Sequence, residues 1–224
     1  MSEERQPFAF DELPRRLPIF PLNGVLLLPG GRLPLHIFEP RYRAMTGDAM
    51  EGARIIGMIQ PQEEEREGRP PAIYRTGCAG LIDEFSETKD GRYFVTLLGL
   101  CRFEVLEELP AATAYRQVLV SYARFRRDLD LTARPAIDRP RLLTALKAYL
   151  HLKEIPADWQ AIEAAETGVL VNSLAMVCPF EANEKQALLE AADVPERARV
   201  MTALMEMALL GAAAGEEGRS APLN

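Results

Sequence analysis

The chain is poor in the residue types that build metal sites. Its 224 residues include two histidines, His36 and His151, and three cysteines, Cys78, Cys101 and Cys178. The cysteines stand apart in apolar sequence and no Cys-x-x-Cys pair occurs, so a structural zinc site is not expected. Free cysteine is among the residues most often buried. We therefore predict three buried thiols in a reducing compartment, with no metal and no cofactor.

Long apolar runs are also missing. No stretch reaches the roughly 18 apolar residues that a membrane-spanning helix needs, so no membrane span is predicted. Residues 1–7 are polar and lack the basic and then apolar pattern of a signal peptide. These two absences predict a cytoplasmic protein.

The sequence offers little support for catalysis. None of the four lysines follows a glycine or precedes Ser or Thr, which excludes a phosphate-binding P-loop. None of the five serines lies in a Gly-x-Ser-x-Gly motif. Ser173 and Lys185 are the one pair considered as a catalytic Ser-Lys dyad. A structural role for the Ser173 hydroxyl is the favoured interpretation. His36 has no carboxylate or cysteine partner in register, and His151 lies near a predicted helix end, where the helix dipole favours histidine. The chain is therefore predicted not to be an enzyme.

Negative charge is unevenly distributed. The formal net charge is −7, with −2 in residues 1–134 and −5 in residues 135–224. An acidic second half argues against nucleic-acid binding, because clustered cations carry most of the affinity for phosphates. The only basic cluster is Arg124, Arg126 and Arg127.

The most informative stretch runs from residue 17 to residue 45. Its apolar runs are broken at Asn23-Gly24 and again at Pro29-Gly30-Gly31, which are residue types that favour turns. Pro40 suits the first position of a helix, because an N–H at that position has no partner within the helix and its absence costs no hydrogen bond. We predict three strands, 17–22, 25–28 and 33–38, followed by a short helix, 40–50.

In the rest of the chain, the sequence pattern changes from strand-like to helix-like near residue 135. Before it, apolar runs and the Asp90-Gly91 turn predict short antiparallel strands at 55–60, 73–85, 93–98, 101–106 and 115–125. The charged segment 63–71 is predicted to be an exposed, mobile loop. After residue 135, helical periodicity predicts helices at 139–152, 158–165, 168–177, 181–192 and 193–210, the third of them buried. Asp193 and Glu196 match a capping box for the last helix, with fraying expected from 211.

Several motifs resemble the amino-terminal, substrate-binding domain of Lon proteases, which also occurs as a stand-alone protein. The resemblance lies in Leu17-Pro18-Ile19-Phe20-Pro21-Leu22, Leu33-Pro34-Leu35, Ile37-Phe38-Glu39-Pro40-Arg41-Tyr42-Arg43, Gly99-Leu100-Cys101-Arg102-Phe103 and Asn172-Ser173-Leu174-Ala175. It implies an α+β fold with two parts: a PUA-like mixed β-barrel subdomain over residues 15–127 and a helical-bundle subdomain over 135–213. The linker would be 126–140.

The same resemblance implies a non-catalytic module that binds peptides or proteins. Its partners would be unfolded polypeptide segments or a specific protein client, and an ATP-dependent protease acting in trans is a further possible partner. The expected site is the groove between barrel and helices, with Phe38, Arg41, Tyr42 and Asn172 as candidate peptide-binding residues. Simple packing is the alternative for each of them. Two other functions stay open, RNA binding by a PUA-like protein and, least favoured, hydrolysis.

Glu39 has a separate expectation, because Arg41 and Arg43 follow it closely. We expect an ion pair that fixes the third strand to the short helix, in preference to direct ligand contact by Glu39.

Overall fold

The computed structural model describes residues 8–63, 70–110, 112–130 and 136–220, the last seven of these by their backbone only. Residues 64–69 of the predicted loop at 63–71 and residues 131–135 of the predicted linker at 126–140 therefore lie outside the described residues. No described helix is long and apolar enough to cross a membrane.

Among the described residues, six strands and one α-helix occupy the first part of the chain. Their bounds are β1 Arg16–Pro21, β2 Arg32–Ile37, α1 Pro40–Glu51, β3 Ile55–Pro61, β4 Ile73–Glu87, β5 Tyr93–Glu108 and β6 Gln117–Ser121. Short 3₁₀ helices precede β1 at Phe10–Glu12 and follow β6 at Ala123–Leu129.

Five of these strands close into a ring. The sheet order is β2-β5-β4-β3-β1-β6, and an additional β5–β6 pairing joins the two ends of the β5-β4-β3-β1-β6 series. The β1–β3 pair is parallel and the other pairs are antiparallel. The long β5 achieves the closure because its first half pairs with β2 and its second half with β6. The result is the predicted PUA-like mixed barrel, with β2 added outside the ring.

Alternate residues of the ring strands fill the barrel interior. Leu17, Cys101, Phe103 and Val118 are fully buried there, as expected when successive side chains point to opposite faces. Gly77 leaves room for the Phe103 ring, because a Cβ at that position would contact the ring and lie 2.6 Å from the Met58 carbonyl oxygen.

In the described part of the chain, five α-helices follow the barrel. Their bounds are α2 Arg139–Leu152, α3 Trp159–Ala164, α4 Thr167–Val177, α5 Ala182–Glu190 and α6 Val194–Ser220. Carboxylates cap several amino termini: Asp138 accepts from Arg141 N–H, Asp158 from Ala161 N–H and Asp193 from Glu196 N–H. A second core lies between these helices, α1 and the outer side of the barrel. The α+β class is confirmed, while the division at 15–127 and 135–213 stays a prediction.

Four predictions about elements need correction. The strands predicted at 93–98 and 101–106 are one continuous strand, β5. The run 25–28 is not a strand; Leu26, Leu27 and Leu28 are buried in a loop, so their apolar character reflects burial without strand pairing. The predicted strand 115–125 is shorter, and ends at Ser121 before a 3₁₀ helix. The last helix continues to Ser220, where fraying from 211 was expected.

Burial of the third helix is also only partly as predicted. Leu170, Val171, Leu174 and Ala175 of α4 are buried, but Val169 and Val177 are exposed.

Candidate functional site

An exposed group of rings lies where β2 runs beside β5. His36 is the register partner of Phe94, and Pro34 is the partner of Thr96, so these side chains share one side of the sheet. The His36 and Phe94 rings stack with centroids 4.6 Å apart, and Phe38 lies 5.7 Å from His36. We call Pro34, His36, Phe38 and Phe94 the aromatic face.

The aromatic face is open to solvent. Phe38 is 58% exposed and Phe94 is 51% exposed, whereas large apolar side chains in a folded domain are usually buried. A cavity of about 360 Å³ begins beside these rings and reaches Glu84, Phe85 and Ser86 of β4. Contiguous exposed apolar surface of this kind is typical of interaction sites.

Polar groups border the aromatic face on one side. Arg32 Nη2 lies 2.6 Å from Asp83 Oδ2 and 2.9 Å from Glu84 Oε1, and the Thr96 hydroxyl donates to Glu84 Oε2 at 2.8 Å. One guanidinium faces two carboxylates here, so the border keeps a small negative charge, and the rings supply the apolar part of the surface.

Three of the four predicted site residues lie at the start of α1. Phe38 belongs to the aromatic face. The predicted ion pair of Glu39 with Arg41 is present, with the Arg41 Nε 3.0 Å from Glu39 Oε2. Tyr42 points inward: it is 6% exposed, and its ring centroid is 4.1 Å from that of Phe20.

Asn172, the fourth predicted residue, lies on α4 at the junction between barrel and helices. Its Nδ2 donates to the Pro29 carbonyl at 3.1 Å, and its Oδ1 accepts from Arg197 Nη1 at 2.8 Å. Asn172 thereby ties the loop before β2 to the helices. Asn172 therefore lies at the junction, whereas Phe38 lies on the aromatic face.

Buried polar contacts fill much of this junction. The Arg102 side chain, on β5, donates to the Leu189 and Ala191 carbonyls at the end of α5 and forms two hydrogen bonds with the Asp128 carboxylate, and the Arg102 backbone N–H donates a third to that carboxylate. Lys185 donates to the Gly24 carbonyl at 2.9 Å. Such contacts satisfy polar groups that would otherwise be costly to bury, so they fix the helices against the barrel.

A second cavity, of about 410 Å³, lies among α2, α3 and α4. Its lining is largely apolar and includes Ile155, Val169, Ser173 and Val177. The Lys185 ammonium group donates to the carbonyls of Gly24 and Met176, and no hydrogen bond between described residues links it to Ser173.

The three thiols are free and buried, as predicted. Burial raises the pKa of Cys101 to about 12 and that of Cys178 to about 11, and it raises the pKa of Cys78 as well. These groups are therefore protonated at neutral pH and poorly suited to nucleophilic chemistry. Among the described residues, no group of three His, Cys, Asp or Glu side chains could hold a metal ion.

Sequence reasoning missed His36 and Phe94 as surface residues. The signal that could have found them is the period of two in strands. Positions 34, 36 and 38 alternate with the partly buried Leu33 and Leu35, so the side of the strand turned away from the core is itself apolar.

The fold is that of an α+β domain in which a closed mixed barrel precedes a set of helices. A family model described as the ATP-dependent protease La (LON) substrate-binding domain matches residues 16–207. The chain therefore belongs to the LON substrate-binding domain family.

Individual relatives agree with this membership. A Lon protease from Dictyoglomus thermophilum is 27% identical over 203 residues, covering 89% of this chain and 25% of that protein. A Lon protease from Flavobacterium johnsoniae is 29% identical, covering 88% of this chain and 24% of that protein. The chain thus spans about a quarter of the length of the curated relatives it matches.

Solved structures show the same fold. The Lon N-terminal domain protein from Xanthomonas campestris superposes with a TM-score of 0.60 at 22% identity, covering 84% of this chain and 97% of that chain. The N-terminal domain of Lon protease from the Mycobacterium avium complex gives 0.59 at 18% identity, covering 85% and 98%.

Proposed function

We propose that this chain binds segments of other polypeptides without catalysing a reaction, and that the aromatic face is the contact surface. The observation that carries the proposal is the contact of three exposed rings, His36, Phe38 and Phe94, on the outer side of the sheet. Aromatic side chains supply large apolar area at protein interfaces. A ligand that covers these rings would remove them from water.

The four predicted site residues take different parts in this proposal. We propose direct ligand contact for Phe38 and Arg41, which lie at the exposed start of α1. Tyr42 and Asn172 act indirectly, since Tyr42 packs against Phe20 and Asn172 bonds the loop that leads into β2.

The family supports the wider setting of the proposal. Its domain is described as substrate-binding, and the relatives are named Lon proteases. We extend this to a cytoplasmic protein whose partners are unfolded polypeptide segments or a specific client, which could be delivered to an ATP-dependent protease in trans. The barrel, 15–127, would carry the binding surface and the helical part, 135–213, would support it.

RNA binding receives less support from the contacts. In the basic cluster singled out from the sequence, Arg124 Nη1 pairs with Glu104 Oε1 at 3.1 Å and the Arg126 guanidinium lies 4.7 Å from the centre of the Phe10 ring. Pairing with a carboxylate reduces the attraction that Arg124 can offer to phosphate.

The test is binding of reduced, unfolded casein, with and without ATP, followed together with cleavage. We expect binding without cleavage. The double variant Phe38→Ser, Phe94→Ser should lose affinity by about 30-fold or more, because truncating anchor residues of an interface typically costs at least about 2 kcal/mol.

Leu106→Ser is the matched control. Leu106 is also an exposed apolar residue of β5, at 61% exposure, but it lies in the half of the strand that pairs with β6. It should bind casein like the unaltered protein. Equal losses in both variants would reject the aromatic face, and cleavage that persists through repurification would reject a non-catalytic function.

A further inference from the structure

The free edge of β2 presents its backbone in a defined pattern. Gly99 N–H donates to the Gly31 carbonyl at 2.8 Å, one step beyond the register pair of Arg32 with Leu98. Hydrogen-bonded and non-hydrogen-bonded pairs alternate along an antiparallel ladder. Residues 33, 35 and 37 therefore point their backbone groups at β5, and Arg32, Pro34 and His36 point theirs away from the sheet.

These outward-pointing backbone groups form a row of hydrogen-bond donors and acceptors. The edge offers two N–H donors, from Arg32 and His36, and three carbonyl acceptors, from Arg32, Pro34 and His36. In the described part of the chain β2 pairs with β5 alone, and no hydrogen bond between described residues uses these five groups. The electrostatic match for such a row is the backbone of another extended strand.

The aromatic face lies along the same edge. Pro34 and His36 carry both the outward carbonyls and two side chains of the aromatic face, and Phe38 follows directly. A strand added to β2 would therefore place every second side chain over these rings. Backbone bonding and ring contact can then be made by one continuous segment.

Pro34 makes this edge unfavourable for self-pairing. Proline has no N–H, and in a sheet it is tolerated where the missing donor would face outward. If two copies paired through β2, each Pro34 would forfeit a hydrogen bond, so two bonds would be lost in the middle of a six-residue strand. A single added peptide forfeits one.

We propose that β2 captures its ligand by strand addition, the ligand being an extended polypeptide segment with free backbone N–H groups at alternate residues, and that Pro34 selects such segments over a second copy of this chain. This inference rests on the proposed function, since it specifies how the aromatic face engages a polypeptide.

Backbone methylation tests the strand addition. The probe is a fluorescently labelled peptide in which Phe or Val alternates with Thr, prepared unmodified, N-methylated at the Phe and Val positions, or N-methylated at the Thr positions. We expect one methylated form to lose affinity by about tenfold or more, because its donors toward β2 are removed, and the other to bind like the unmodified peptide.

The outcomes separate the two ideas. If the unmodified peptide binds in a Phe94-dependent manner but both methylated forms bind equally, strand addition is wrong and the aromatic face remains. If the unmodified peptide fails to bind while casein binds, strand addition is again wrong. If casein fails as well, the proposed function falls with it.

A variant tests the part assigned to Pro34. Pro34→Val restores the missing donor, so we expect concentration-dependent self-association in sedimentation velocity that the unaltered protein lacks at the same concentration. Pro156→Val, at an exposed loop position among the helices, is the matched control and should sediment like the unaltered protein. Identical sedimentation of Pro34→Val and the control would overturn the selection by Pro34.

Discussion

Arg102 is the residue that connects the barrel most directly to the helices. It is 2% exposed, pairs with Asp128 through two hydrogen bonds and donates to two carbonyls at the end of α5. Its guanidinium also lies 4.3 Å from the centre of the Phe125 ring. One side chain thus satisfies a buried carboxylate and a helix terminus together.

We expect Arg102→Ala to lower the free energy of unfolding by about 3 to 5 kcal/mol. Removing one partner of a buried ion pair leaves the other charge uncompensated, which is more costly than losing a surface pair. Urea denaturation followed by circular dichroism measures the change.

Arg124→Ala provides the comparison for Arg102→Ala. Its guanidinium pairs with Glu104, and both side chains are more than a third exposed. Exposed ion pairs contribute about 1 kcal/mol or less. If the two variants unfold at similar urea concentrations, the junction does not depend on Arg102 in the way described.

At the scale of elements, β2 combines a paired side and an unpaired side in one strand. We expect the amide protons of Leu33, Leu35 and Ile37 to exchange slowly with solvent, because they bond to β5. Those of Arg32 and His36 should exchange faster, since they point away from the sheet. Hydrogen exchange read residue by residue by NMR measures this alternation.

The central strand gives an internal reference for that experiment. Residues 95 to 98 of β5 have β2 on one side and β4 on the other, and their amides should be among the slowest to exchange. Protection of His36 equal to that of Leu35 would mean that another group covers the β2 edge in solution.

The elements also show which features the sequence can predict. Strands β1, β2 and β3 and the start of α1 follow from apolar runs that end at turn residues, so local signals were sufficient. The run 25–28 has the same apolar signal, yet Leu27 and Leu28 pack near Gly80 and Gly99 as a buried loop. A buried loop and a paired strand can have the same apolar composition, and only tertiary contacts distinguish the two.

The candidate site shows a similar limit. Phe38 belongs to a recognisable motif, whereas Phe94 is distant in sequence and joins it only because β5 pairs with β2. Register between distant strands is set by the whole sheet, so the aromatic face could not be assembled from sequence patterns. Tyr42 and Phe38 are equally aromatic, and their opposite exposures depend on the direction in which α1 leaves β2.

At the scale of the whole molecule, the buried thiols make the free energy of unfolding fall as the pH becomes alkaline. Burial raises the pKa of Cys101 from 9.0 to about 12 and that of Cys178 to about 11. Above about pH 9 the unfolded chain releases these protons while the folded protein keeps them. The stabilisation is complete below pH 9 and declines as pH rises toward 11 and 12, by about 1.4 kcal/mol per pH unit for each thiol.

Cys101→Ala isolates this effect. Between pH 8 and pH 10.5 the free energy of unfolding of this variant should fall by about 2 kcal/mol less than that of the unaltered protein, as measured by urea denaturation at both pH values. The comparison with the unaltered protein is needed because burial also lowers the pKa of Lys185. A lowered lysine pKa makes the free energy of unfolding rise with pH, which is opposite to the effect of the thiols. An equal fall in both proteins would contradict the assignment to Cys101.

The closed ring also has a consequence for synthesis on the ribosome. Leu17 of β1 and Val118 of β6 are register partners, although roughly 100 residues separate them. At typical translation rates this interval takes roughly 5 to 20 s. Throughout that time β1 lacks the neighbour that seals it, and the residues destined for the barrel interior stay accessible. A nascent chain of this protein is therefore itself an unfolded polypeptide with exposed apolar strands until residue 121 has emerged.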